Sequence, residues 1–152
     1  MRIAAAVLIL CLASCSSVQT TTSESAPDLA AFASSAPFSV QVNAPSPQLA
    51  RLIQEYVEAD FSQSLKVTEG SDGKGTIEVT YASTGQGNAL ADWQNSTMLM
   101  VIRGPAKERL WTAEYDYKGG MEWSGFRVTT KEEAAKLVVQ RLADKFRADV
   151  RR

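Results

Sequence analysis

Glu114 and Asp116 lie two residues apart in an alternating stretch, Arg109 to Tyr117. On a strand both carboxylates would share one face, about 7 Å apart. Paired carboxylates in that range can act as acid and base on a glycosidic bond. The same spacing also describes the solvated face of any antiparallel strand, and no sugar-stacking aromatic is expected beside this pair. Other chemistry is narrowly bounded. The 152 residues contain no histidine, which excludes Ser-His-Asp and Cys-His nucleophile systems and His-ligated zinc. The segment Gly70-Ser-Asp-Gly-Lys-Gly75 fails as a phosphate loop, because Lys74 leads into another glycine and then a strand rather than a helix N-terminus. No D-x-[DN]-x-[DN]-G calcium loop is present. The expectation is no catalytic site, no metal and no cofactor, with a carboxylate-type hydrolase as the least favoured reading.

Large apolar residues in irregular sequence are the stronger signal. Met121, Trp123 and Phe126 sit in Lys118-Gly-Gly-Met-Glu-Trp-Ser-Gly-Phe-Arg127, a glycine-rich connection without regular period. Trp is favoured at interfaces and loops carry function, so these three are candidate partner-binding residues. Folding back to cap a sandwich is the competing role. Trp93, in the stretch from Ser83 to Asn95, poses the same choice.

Two cysteines remain, Cys11 and Cys15. Ile3 to Leu12 is an almost wholly apolar run of roughly ten residues, about half of what a bilayer-spanning helix needs. After the single charge of Arg2 it reads as the hydrophobic core of a secretion signal. The run ends in Leu12-Ala13-Ser14-Cys15, which resembles the lipobox of bacterial lipoproteins. That resemblance implies a signal peptide over 1–14, cleavage before Cys15, and diacylation of its sulfur. Cys11 would leave with the leader, so the mature chain would hold no free thiol and no disulfide. Ser16, rather than Asp, after the lipidated cysteine implies outer-membrane sorting, facing the periplasm.

Charge adds little. There are 16 basic and 17 acidic residues; removing Arg2 leaves 15 against 17, a net of −2. Neither a nucleic-acid footprint nor a polybasic membrane patch is present.

Residues 15–37 are dominated by Ser, Thr, Ala and Pro, and such composition predicts a flexible, lipidated tether of about 25 Å reach, with a short helix conceivable over 28–32. Residues 38–152 are one domain's worth of chain. Phe38 to Val42 alternates as a strand. Ser46-Pro47 is a helix start, followed by the apolar face Leu49, Leu52, Ile53, Tyr56, Val57, Phe61 and Leu65. Thr76 to Tyr81 alternates, and Leu65 to Glu69 is expected to pair with it through an Asp72-Gly73 hairpin turn. Thr97 to Ile102 is apolar throughout, as in a strand buried on both faces or central in its sheet. Gly104-Pro105 turns the chain into the strand from Arg109, whose apolar face is Trp111, Ala113, Tyr115 and Tyr117. A last helix follows Thr129 or Thr130, each fitting a capping box, with Ala135, Val138, Val139, Leu142 and Phe146 as its stripe.

The fold class is therefore α+β: a two-layer sandwich of an antiparallel sheet of about four strands with two helices on one face, in the order βαβββα. Anchor, tether and element order are similar to those of the LptE family, lipoproteins that support lipopolysaccharide insertion; no residue motif beyond the lipobox is shared. The leading expectation is a non-enzymatic accessory or assembly factor, held to the membrane by its lipid and touching another envelope protein. A periplasmic binding module for a small or lipidic ligand is the alternative.

Overall fold

Ser46 Oγ accepts from the Leu49 N–H at 3.2 Å and Pro47 takes the first helical position, so a helix starts where the sequence signals it. A computed structural model describes residues 18–68, 73–88, 91–118 and 130–151. The elements are β1 (Val18–Ser25), α1 (Leu29–Ser35), β2 (Pro37–Asn43), α2 (Pro47–Phe61), β3 (Lys66–Val67), β4 (Gly75–Asn88), β5 (Ala91–Arg103), β6 (Arg109–Lys118) and α3 (Lys131–Val150). The strands form one sheet in the order β1-β6-β5-β4-β2-β3. The class is α+β, but the sheet has six strands rather than four, and it is mixed: β2 runs parallel to both β3 and β4, while the other pairs are antiparallel.

The core lies between this sheet and the helices. Leu49, Ile53, Val57 and Phe61 of α2 and Ala135, Val138, Val139, Leu142 and Phe146 of α3 are buried. They meet Phe38, Val40, Ile77, Val79, Met98, Met100, Ile102 and Trp111 from the strands. Phe146 is central: its ring lies 5.4 Å from that of Phe61 and 5.3 Å, edge to face, from Trp111. Of the two capping choices for the last helix, Thr130 is the N-cap. Its Oγ1 accepts from the Glu133 N–H, and the Glu133 carboxylate accepts from the Thr130 N–H.

Two expectations about particular segments are corrected. Within the stretch assigned to a tether, Val18–Ser25 is an edge strand on β6, and Leu29 and Ala33 of α1 join the core. An edge strand needs only its main chain to pair, so Ser/Thr composition does not forbid it. The Asp72-Gly73 hairpin does not form, because β3 and β4 flank β2 on opposite sides. Gly73 rests so closely on β2 that a Cβ would strike Ser39 N, and Gly75 would strike the Phe38 ring. Glycine here serves close approach rather than a turn. Of the two alternatives for Thr97 to Ile102, β5 is the strand central in its sheet; among the described residues its face away from the helices is open, with Leu99 37% exposed and Val101 half-buried.

Among the described residues, no helix is long and apolar enough to cross a membrane. The leader, Cys15, and Met121, Trp123 and Phe126 lie outside the described residues.

Candidate functional site

The sheet turns polar at one end. Along β4 the core-facing positions run Ile77, Val79, Tyr81, Ser83; on β5 Met98 stands across from Tyr81 and Ser96 across from Ser83, so Tyr81 and Ser96 are diagonal neighbours on the same face. The Tyr81 and Ser96 hydroxyls are 2.7 Å apart and buried. Burial pushes the Tyr81 hydroxyl above its ordinary value; the hydrogen bond to Ser96 opposes this, and the Glu132 charge adds to it. The phenol stays protonated, which suits it to hydrogen bonding and not to attack as a nucleophile.

Beside this pair a cleft of about 370 Å³ is lined by Ser46, Gln48, Leu52, Ser83, Lys131 and Glu132, among others. It lies where the N-termini of α2 and α3 converge. Both starts carry their own caps, Ser46 and Thr130, so part of the main-chain donor set there is already satisfied. One cation and one anion flank the opening. The cleft could seat a small polar ligand; among its described lining residues no nucleophile is hydrogen-bonded to a base.

The β4–β5 hairpin projects past the same end. β2 leaves β4 at the pair Asn43 and Thr80, and β6 leaves β5 at Lys118 and Asn95. Beyond these, Gly85–Asn88 and Ala91–Gln94 pair only with each other among the described residues. Trp93 sits on this arm, opposite Gln86. Lys118, which precedes the sequence holding Met121, Trp123 and Phe126, is at the arm's base; Thr130, which follows that sequence, immediately precedes the cleft residues Lys131 and Glu132. Topology thus brings Trp93, Lys118 and Thr130 to the cleft end of the sheet.

Glu114 and Asp116 are elsewhere, on the face opposite the helices. Asp116 accepts from Thr97 Oγ1 at 2.7 Å, and Glu114 stands across from Leu99. Glu78, on the same face, pairs with Arg103 at 2.9 Å. Among the described residues no cluster of three or more metal-ligating side chains occurs. The Tyr81–Ser96 pair and the cleft are not singled out by the sequence, although Ser83 and Ser96 are detectable as polar residues on an otherwise apolar strand face.

Neither a protein-family model nor a curated protein matches the sequence. Among solved structures, the PelC dodecamer from Paraburkholderia phytofirmans is similar with a TM-score of 0.58 and 8% identity, over 86% of this chain and 96% of that one. At that identity the likeness is one of fold. The minor lipoprotein of Acinetobacter baumannii aligns with a TM-score of 0.36 at 15% identity over 79% of this chain and 94% of that one. Rare lipoprotein B of Shewanella oneidensis gives 0.37 at 14% identity, over 74% and 92%. Scores this low carry no argument about this chain.

Proposed function

We propose that this chain is a lipid-anchored, non-enzymatic protein of the bacterial envelope, acting as an accessory or assembly factor through protein–protein contacts. The carrying observation is Leu12-Ala13-Ser14-Cys15 closing a short apolar leader. Two acyl chains would hold the protein at the membrane, at roughly 0.8 kcal/mol per buried CH₂, and Ser16 favours the outer membrane. The likeness to the PelC dodecamer supports contacts between copies of the chain itself, since a protein of this fold assembles that way. The layout shared with the LptE family is compatible with the same role. The test is palmitate labelling and fractionation of wild type beside Cys15→Ser. Label and membrane attachment should both disappear in the variant; a variant still cleaved and firmly bound would sink the reading. Affinity capture of the lipidated protein from native membranes then identifies what it touches.

The cleft favours a second reading, a binding module for a small ligand, because about 370 Å³ is within the range of ligand pockets. Such a ligand would sit at the end of the sheet, since Phe61, Phe146 and Trp111 fill the space between helices and strands. Calorimetric titration with candidate envelope metabolites separates this from the first reading.

A further inference from the structure

We infer that the β4–β5 arm is completed by a second copy of this chain: the free edge of β4, from Ala82 to Asn88, pairs antiparallel with the same edge of another copy and continues the sheet across a two-fold axis. This rests on the proposed assembly through copies of the chain, and it names the surface.

The arm lacks what a stable ribbon needs. Past Thr80 the chain of β2 turns at Ala44 and Pro45 into α2, so the main-chain groups on that side of β4 have no strand partner among the described residues. Among the described residues, Gly85–Asn88 and Ala91–Gln94 form only a two-stranded ribbon, and such a ribbon is marginal in water. Gly85 and Gly87 weaken it further, having no side chain to pack. A third strand would supply the missing pairing.

The sheet's free edges differ in how they are guarded. β3 is two residues long and starts with Lys66. β1 is interrupted by a register shift between Thr20 and Thr22 and bears Glu24. Short length, lysine, irregularity and charge all discourage edge-to-edge pairing. Ala82-Ser-Thr-Gly-Gln-Gly-Asn88 has none of these: no charge, no proline and an unbroken register with β5. Because the segment is uncharged, two copies can meet antiparallel without opposing like charges. One self-complementary edge closes a two-fold dimer by itself, and identical copies always supply a strand of the right length. Lipid anchors would raise the encounter rate by confining copies to one surface.

The experiment uses the full lipidated chain in detergent, with its protein mass measured by light scattering. Wild type should be an even-numbered assembly. Ala82→Lys/Thr84→Lys changes two exposed side chains on the open face and should cut the assembly to half its size or less with an unaltered melting temperature. A monomeric wild type, or an assembly untouched by the lysines, overturns the proposal. Should the variant melt early, hydrogen exchange on wild type decides instead. Amides of 82–88 should lose protection on dilution while those of 18–25 do not; protection that ignores dilution, or a loss confined to 18–25, also overturns it. Palmitate labelling of the same samples is independent: a labelled monomer retires this interface and leaves the anchored reading standing.

Discussion

The indole N–H of Trp111 donates to Asp149 Oδ2 at 3.0 Å, tying strand β6 to the last turn of α3. Lys145 Nζ donates to the other oxygen at 2.8 Å, and the Asp149 side chain is only 5% exposed. Burial pushes this carboxyl up. Hydrogen bonds from Lys145, Trp111 and Ser23, with the charge of Lys145, outweigh burial and leave it below its ordinary value. A carboxyl lowered on folding adds stability above its unfolded value, and that stability is lost as pH falls through the folded one. Asp149→Asn should therefore cost about 1–2 kcal/mol near neutral pH and flatten the acid limb of the stability curve. Urea unfolding at about pH 7 and about pH 3 checks both.

Two buried tyrosines should respond oppositely to loss of a hydroxyl. Tyr81→Phe strands the buried Ser96 hydroxyl, which Tyr81 meets at 2.7 Å, and should cost about 1 kcal/mol. Tyr115 is equally buried, but its hydroxyl has no hydrogen-bond partner among the described residues; burial is the main cause of its raised value. Tyr115→Phe should be neutral or slightly stabilising, since it removes an unsatisfied buried group. Denaturant melts that ranked the pair the other way would place a partner on Tyr115.

Gly75→Ala tests the crossing at β2. A Cβ there meets the ring of Phe38, which is fully buried, and lies 2.8 Å from the Arg103 carbonyl oxygen. Neither neighbour can withdraw easily, so a loss of about 2 kcal/mol is expected, as for overpacking. A thermal melt unchanged from wild type would show that the strands yield there.

Helix faces give the sharpest contrast. Ile53 and Val139 are fully buried, and Ile53→Asp or Val139→Asp should abolish folding by placing an unpaired charge in the core. Glu55 is exposed and pairs with Arg51 at 3.6 Å; Glu55→Ala should move stability by no more than about 0.5 kcal/mol. Circular dichroism of the three variants decides this.

Those faces were legible because period and capping agree: Ser46-Pro47 opens α2, Thr130 with Glu133 opens α3, and the alternation from Trp111 to Tyr117 matches the burial of β6. Local sequence says less about which strands become neighbours. β3 and β4 lie near each other in sequence but flank β2, a non-local arrangement visible only in the close contacts of Gly73 and Gly75. β1 was hidden for another reason: its Ser/Thr run pairs through the main chain and looks like linker. The polar end of the core is not evident from local sequence, because Tyr81 and Ser96 are separated by a long hairpin and each is ordinary alone.

The aromatic residues between Lys118 and Thr130 are the remaining test of function. Lys118 stands opposite Asn95 near the base of the arm and Thr130 caps α3; the sequence between them carries Met121, Trp123 and Phe126. As part of a contact surface, Trp123 should behave as an interface hot spot. Trp123→Ala is then expected to weaken capture of the envelope partner by about 2 kcal/mol, roughly thirtyfold, with the melting temperature held. A buried aromatic truncated to alanine would instead cost about 3 kcal/mol of stability. Capture assays and thermal melts on the same preparation separate the two. Binding that falls only in proportion to the folded fraction would assign Trp123 to capping the core and move the search for the contact surface to the arm.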